Sequence, residues 1–154
     1  MRSIKQIYSQ IGLYQVFKVY DLGFINFYLI FNMKNAVLIT GGAKRLGSLI
    51  AQQLSKEDYF IIIHYNESEN EAIRTKEKIL ENGGDVALIK KNIKSALDAS
   101  ELILEALSFV KKISVNQFTL INNASAFIYD SAENFDENIL DDHMHANFKI
   151  PVLL

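Results

Sequence analysis

A glycine-rich turn directly after a short apolar run is the feature that most limits what this chain can fold into. The run covers residues 36–39, the turn covers residues 40–47, and apolar residues at helical spacing follow. Glycines between a buried strand and a helix let backbone N–H groups approach a pyrophosphate, whose charge the helix dipole favours. The pattern predicts a dinucleotide-binding turn, with a plain strand–helix connector as the alternative.

The length and composition favour one globular domain with a substantial core. The chain has 154 residues, of which 49% are hydrophobic and 11% aromatic, and this composition argues against disorder. The formal net charge of −2 gives no basic field for a phosphate backbone, so we expect no nucleic-acid partner. The absence of cysteine excludes disulfides and thiolate metal sites, and we expect a cytoplasmic location.

Residues 1–33 are predicted to be an atypical N-terminal extension. Their apolar run, residues 24–31, is not followed by the small-residue cleavage site of a signal peptide. Lys18 and Asp21 interrupt the segment, whereas a membrane span needs about 20 apolar residues, so we expect no membrane partner. The segment either packs on the domain or is absent from the natural product, with translation starting at Met33.

After the extension, strand-like and helix-like segments alternate, as in βαβ units with a parallel sheet. Right-handed crossovers place the first three strands in the order 3-2-1, with the fourth on the other side of the first. The predicted fold class is α/β, a Rossmann-type doubly wound parallel sheet truncated after about four strands, with residues 34–154 as its N-terminal half. The predicted strands are residues 36–40, 59–64, 86–90 and 117–121.

Helical spacing and end signals predict the helices. The middle helix is expected to begin with a capping box of Ser68 and Glu71 and to end at residues 82–84. A last helix is expected from about Phe135, with Pro151 inside it or near its end. The core faces of the first and third helices are predicted to be Leu46, Leu49, Ile50 and Leu54, and Ala99, Leu102, Ile103, Ala106 and Val110.

Two separated motifs resemble the short-chain dehydrogenase/reductase family. Its Thr-Gly-x-x-x-Gly-x-Gly turn matches residues 40–47 except that Arg45 replaces the middle glycine, and its Asn-Asn-Ala-Gly element matches residues 122–125. The resemblance covers roughly residues 34–154. It implies an oxidoreductase that transfers a hydride between a nicotinamide cofactor and a small-molecule substrate, with Asn147 as the asparagine of the family's fourth helix.

Several residues are more similar to the pteridine reductase branch of that family. They are Arg45, the His-Tyr-Asn sequence at residues 64–66, and the segment 122–127. In that branch the residues matching Arg45, Ser125 and Phe127 lie at the cofactor and the pterin, which implies substrate-binding roles for Ser125 and Phe127. The Phe127 ring either sandwiches a flat heterocycle or is simply buried.

The family's catalytic serine and Tyr-x-x-x-Lys pair follow the asparagine helix, so the resemblance implies that they lie beyond Leu154. The tyrosine exchanges a proton with the reacting oxygen, and the lysine lowers the tyrosine pKa. We therefore expect this chain alone to be inactive, with Asn147 in a supporting role. A Tyr-x-x-x-Lys match at Tyr14 and Lys18 precedes the glycine turn, and we attribute it to chance.

The charges near the turn favour NADP(H) over NAD(H). A carboxylate after the second strand would repel a 2′-phosphate, but the residue aligned with that carboxylate is Tyr65. Lys44 and Arg45 supply positive charge nearby. The negative charge of Glu67 opposes that positive charge unless the Glu67 side chain points to solvent. Asn92 replaces the family's aspartate near the adenine. The predicted cofactor-binding residues are Thr40, Gly41, Lys44, Arg45, Leu46, Gly47, His64, Tyr65, Asn66, Asn92, Asn122, Asn123 and Ala124.

Other interpretations remain open beside the reductase. Asp141 and His145 share a helix face, but no third ligand has suitable spacing, so we expect a polar helix face and no metal site. The chain is alternatively a non-catalytic nucleotide-binding or interaction module whose fourth strand pairs with another chain through its exposed edge, or the remnant of a disrupted gene.

Overall fold

The computed structural model describes residues 34–154 apart from residues 114, 130, 132, 134 and 135. The predicted extension, residues 1–33, lies outside the described residues. The elements in chain order are β1 (Asn35–Ile39), α1 (Arg45–Lys56), β2 (Tyr59–Tyr65), α2 (Glu69–Glu81), β3 (Asp85–Lys90), α3 (Ala96–Ile113), β4 (Gln117–Ile121), α4 (Glu137–Met144), a π-helical turn (His145–Lys149) and α5 (Ile150–Leu153).

The four strands form one parallel sheet in the order β3-β2-β1-β4, which confirms the predicted α/β Rossmann-type architecture. In the register, Val37 of β1 pairs with Ile61 of β2 and with Thr119 of β4. Both faces of the sheet are covered, because alternate residues of β1 belong to two different core clusters. Ala36 and Leu38 pack with α3 on one face, and the next residues along the strand pack with α1 and α2 on the other.

The predicted core face of α1 is wrong at its first two positions. Leu46 and Leu49 are 63% and 65% exposed, and the buried residues of the helix are Gly47, Ala51 and Ser55. The reason is the close approach of the helix to the turn before it, where a Cβ on Gly47 would overlap the Gly41 carbonyl oxygen. Small residues therefore form the buried stripe nearest the turn, while Ile50 and Leu54, the other two predicted residues, are half-buried and pack against the same core cluster.

The end of α2 follows the prediction, but the capping box does not form. The helix begins at Glu69, yet the Ser68 side chain makes no capping hydrogen bond. Its backbone, at φ −82° and ψ 57°, lacks the extended geometry that aims an N-cap hydroxyl at the first turn. The helix ends at Glu81, just before Gly83, which has φ +78°.

The third helix and the C-terminal helical segment complete the face of the sheet opposite α1 and α2. The predicted core face of α3 is confirmed, with Ala99, Leu102, Ala106 and Val110 buried. The last helix begins at Glu137, two residues later than expected, because the Asp136 side chain accepts a hydrogen bond from the Asn138 amide and caps it there. Among the described helices, none combines the length and apolarity that crossing a bilayer requires.

Candidate functional site

The glycine turn joins β1 to α1 at the carboxyl edge of the sheet and packs tightly against the loop that follows β4. Gly41 has φ +62°, and a Cβ there would lie 2.8 Å from the Cα of Ala124. Gly47 is equally restricted, since a Cβ would also lie 2.6 Å from the Asn123 Nδ2. Glycine is therefore required at both positions to bring the turn, the start of α1 and the β4 loop together.

Thr40 and Asn123 lock the turn to the end of β4. The Thr40 Oγ1 accepts hydrogen bonds from the backbone amides of Asn123 and Ala124, each at 3.0 Å. In return the Asn123 Nδ2 donates to the carbonyl oxygens of Thr40 and Gly41 at 3.0 and 3.1 Å. Because the Thr40 side chain is buried and fully used in this way, its contribution to the site is to shape the turn.

Arg45 occupies the place of the glycine that the matching motif has at this position. Its φ is +52°, in the left-handed region where a side chain costs roughly 1–2 kcal/mol. The exposed side chains of Lys44 and Arg45 both line the groove beside the turn. Neither cation forms an ion pair with a described residue, whereas Lys34, Lys90 and Lys91 do.

His64, the second-last residue of β2, is a buried imidazole beneath this site. Its carbonyl oxygen accepts from the Gly42 amide at 3.1 Å, and its Nε2 lies 2.9 Å from the Lys91 carbonyl oxygen, to which it donates. The Nδ1 has no hydrogen-bond partner among the described residues. Burial lowers the pKa of His64 and outweighs the hydrogen bond to the Lys91 carbonyl, which raises it, while the charge of Lys91 lowers it further, so the ring is neutral near pH 7.

Two adjoining cavities lie along the carboxyl edge of the sheet. One, of about 510 Å³, follows the glycine turn and the end of β2, and the other, of about 820 Å³, lies between the ends of β2 and β3 and the last helical segment. Predicted site residues lining the first are Gly41, Lys44, Arg45, Leu46, Gly47, His64, Tyr65, Asn66, Asn123, Ala124 and Ser125. Those lining the second are His64, Asn66, Asn92, Ala124 and Ser125.

The structure therefore brings most of the predicted residues together, with two exceptions among the proposed cofactor contacts. Thr40 is buried behind the turn, and Asn122 donates from its Nδ2 to the Pro151 carbonyl oxygen at 3.4 Å. Tyr65 lines the groove although it is only 7% exposed, so its ring also belongs to the core on the α1 side. Glu67 is exposed and lines both cavities, so it lies at the groove that Lys44 and Arg45 also line.

The loop after β4 presents an exposed aromatic ring. Phe127 is 84% exposed, so simple burial, one of the two interpretations of this residue, is wrong. Its ring stacks on His143, with centroids 6.1 Å apart and an interplanar angle of 12°. The His143 Nε2 also accepts a hydrogen bond from the Ile128 amide at 2.8 Å. This supporting role of His143 was not predicted from the sequence, because its partners lie in a different loop.

Asn147 holds the same loop from the π-helical turn. Its Oδ1 accepts from the Ala126 amide at 2.8 Å, and its Nδ2 donates to the Ala126 carbonyl oxygen at 2.9 Å. The paired contact fixes the loop between β4 and Phe127 relative to the last helical segment. In the described part of the chain, no group of three potential metal ligands comes together.

A parallel sheet in the order 3-2-1-4, with a glycine turn at the point where the order reverses, defines a doubly wound nucleotide-binding domain. The sequence model described as short chain dehydrogenase matches residues 35–154, so the chain belongs to that family. The members of that family are oxidoreductases that bind a nicotinamide cofactor and act on small-molecule substrates.

Individual relatives agree with the family. The 3-oxoacyl-[acyl-carrier-protein] reductase FabG of Staphylococcus epidermidis is 28% identical over 117 residues, which are 76% of this chain and 46% of that protein. The FolM alternative dihydrofolate reductase 1 of Brucella canis, solved with NADP, is 29% identical with a TM-score of 0.63 and covers 77% of this chain and 46% of its own.

A short-chain dehydrogenase/reductase of Serratia marcescens has a TM-score of 0.69 at 21% identity, with coverage of 79% of this chain and 48% of its own, and supports the fold alone. The chain thus spans about half the length of the curated relatives that it matches.

Proposed function

We propose that this chain forms the nucleotide-binding half of an NADP(H)-dependent short-chain reductase. The observation that carries the proposal is the groove at the glycine turn, where two exposed cations, Lys44 and Arg45, line the wall and have no ion-pair partner among the described residues. The residue aligned with the family's ribose-binding carboxylate is the phenol Tyr65, which does not repel a 2′-phosphate.

The turn and the start of α1 provide the pyrophosphate site. Gly41 and Gly47 let the turn pack closely on the loop after β4 and on the start of α1, and the N-terminus of α1 presents its unpaired amides and the positive end of its dipole. No acidic residue lies in the first turn of α1 to compete with the phosphate. The bound nicotinamide would supply the hydride, while these residues bind and orient the nucleotide.

The base and ribose of the nucleotide would lie in the adjoining cavity. Its polar wall includes Asn66 and Asn92, whose amides both donate and accept hydrogen bonds. Asn92 keeps an acceptor where the family has an aspartate but carries no charge. We propose that these two amides, with the neutral ring of His64 beneath them, form the adenosine end of the site.

A flat heteroaromatic compound such as a pterin is the substrate class that we propose. The FolM relative is named a dihydrofolate reductase, and its structure holds NADP. In this chain the exposed ring of Phe127, held from behind by His143, offers a stacking surface, and Ser125 lies in both cavities beside it. The FabG relatives support a second candidate, a 3-oxoacyl thioester, for which an aromatic surface has no evident use.

Calorimetric titration of the 154-residue chain with 2′,5′-ADP and with 5′-AMP tests the cofactor assignment. We expect tighter binding of 2′,5′-ADP, and a loss of about ten-fold or more in Arg45→Glu, because reversal replaces attraction by repulsion at the phosphate. Lys56→Glu, at the other end of α1, is the matched charge reversal and should leave binding unchanged. Equal binding of the two nucleotides, or equal 2′,5′-ADP binding by wild type and Arg45→Glu, would overturn the assignment.

A pair of aromatic substitutions tests the substrate class. Phe127→Ala should abolish the quenching of a fluorescent pterin by the NADP⁺-saturated chain, because it removes the stacking surface. Tyr129→Ala is the control, since Tyr129 is 82% exposed in the same loop and is not part of the stacked pair. Equal loss in both variants, or in neither, argues for the acyl thioester instead.

A further inference from the structure

A buried threonine on α2 lies at the centre of a hydrogen-bond chain that ends on the glycine turn. Thr75 is 4% exposed, and its Oγ1 lies 2.9 Å from the Ala43 carbonyl oxygen and 2.8 Å from the Ser48 Oγ. The Ser48 Oγ in turn lies 2.9 Å from the Gln52 Nε2. The chain thus connects α1 and α2 to the backbone of the turn.

The chemistry of these groups fixes which one donates and which one accepts in each bond of this hydrogen-bond chain. The Ala43 carbonyl only accepts, so the single hydroxyl proton of Thr75 goes to it. The Thr75 oxygen must then accept the hydroxyl proton of Ser48, and the Ser48 oxygen accepts from the amide nitrogen of Gln52. Each hydroxyl is therefore both donor and acceptor, and bonds in such a chain strengthen one another.

The last bond of the chain holds the residue just before the two cations of the groove. The earlier part of the turn is held from the sheet, through the Asn123 side chain on Gly41 and the His64 carbonyl on Gly42. Ala43 is held from the helix side by Thr75. A left-handed residue such as Arg45 persists only where its surroundings fix it, and Thr75 supplies that constraint two residues upstream.

We propose that Thr75 is a positioning residue for phosphate recognition. Through the Ala43 carbonyl it fixes the backbone from which Lys44 and Arg45 project into the groove, and the proposal rests on the nucleotide-binding function proposed above. Thr75 does not line either cavity. Its loss should therefore weaken recognition of the phosphates, while recognition of the adenosine, which depends on the ends of β2 and β3, is retained.

The test compares Thr75→Val, which keeps the shape but removes the hydroxyl, with Thr75→Ser, which keeps the hydroxyl. Titration with 2′,5′-ADP should show about three- to ten-fold weaker binding in Thr75→Val, the worth of one hydrogen bond, and near wild-type binding in Thr75→Ser. Titration with adenosine should give the same affinity in all three proteins. A merely structural role would lower both affinities together, and that result overturns the proposal.

Amide hydrogen exchange gives a readout that needs no ligand. Thr75→Val should speed the exchange of the Gly42 and Ser48 amides, which donate to the His64 and Lys44 carbonyl oxygens, whereas Thr75→Ser should not, and equal exchange in all three proteins overturns the proposal. If wild type fails to bind 2′,5′-ADP, the proposed function fails, and the exchange data still decide the role of Thr75. Should Thr75→Val not fold, Ser48→Ala takes its place, because it removes the proton donor to Thr75. We expect Ser48→Ala to weaken 2′,5′-ADP binding about two-fold and to leave adenosine binding unchanged.

Discussion

At Arg45 a long cationic side chain occupies a backbone conformation that the family motif gives to glycine. Such a position costs free energy, which the contacts of the turn to β4, β2 and α2 must offset. The charge of Arg45 faces a groove in which a phosphate group would gain from it. The residue therefore exchanges some stability for ligand affinity, and the two effects can be measured separately.

Arg45→Gly should raise the free energy of unfolding by up to about 1 kcal/mol, because glycine adopts positive φ without steric cost. The same substitution should weaken 2′,5′-ADP binding. Lys44→Gly is the matched control, since Lys44 has an extended backbone with φ −144° and should lose stability when replaced. Urea unfolding measures both changes. A stability loss in Arg45→Gly equal to that in Lys44→Gly would contradict the strain argument.

The buried imidazole of His64 should make stability depend on pH. Its pKa is lowered in the folded chain, so below about pH 6.5 the unfolded chain takes up a proton at this ring before the folded chain does. The contribution of the neutral ring to the free energy of unfolding is fully present above that pH, and it is lost as the pH drops toward the pKa of His64 in the folded chain. His64→Gln keeps an amide donor for the Lys91 carbonyl without titrating, and should flatten the decline between pH 7 and 5 in urea unfolding curves. An unchanged slope would assign the pH dependence to other groups.

At the scale of the elements, the strands were predictable and the face of α1 was not. Each strand begins and ends within one residue of its predicted bounds, because a parallel strand buried on both faces must be a continuous apolar run. Leu46 and Leu49 of α1 were wrongly predicted to be buried, because the contact of the helix with the turn requires glycine at position 47. The contacts of Thr75 and His143 carry no local signal, since their partners lie 32 and 15 residues away along the chain.

Two substitutions in α1 test the corrected core face. Leu49→Ser should change the free energy of unfolding by less than about 0.5 kcal/mol, because the side chain is 65% exposed. Ala51→Leu should cost about 1–3 kcal/mol, because Ala51 is fully buried against the sheet and has no room for a larger side chain. Thermal unfolding of the two variants beside wild type decides the order. A larger loss of stability in Leu49→Ser than in Ala51→Leu would support the original prediction that Leu49 belongs to the buried face.

At the scale of the whole molecule, the sheet has one edge that bears on function. In the described residues β4 pairs with β1 alone, so its other side carries unpaired backbone groups. The matched segment of this chain covers 46% of the FabG relative, and the resemblance places the serine and the Tyr-x-x-x-Lys pair after the asparagine helix. We therefore expect these 154 residues to bind the nucleotide without catalysing the reaction.

The 154-residue polypeptide alone should oxidise no NADPH in the presence of dihydropterin, quinonoid pterin or simple carbonyl compounds. A positioned acid or base contributes about 10²–10⁴-fold to the rate, and Asn147 cannot supply one, because its side chain is a neutral amide that is bound to the Ala126 backbone. The absorbance of NADPH is followed for this chain and for a fusion of residues 34–154 with the C-terminal half of the Staphylococcus epidermidis relative. We expect turnover only by the fusion, because it restores both the crevice and the proton donor. Robust turnover by the 154-residue chain itself would contradict this prediction, and it would make Tyr14 and Lys18 candidates for the catalytic pair.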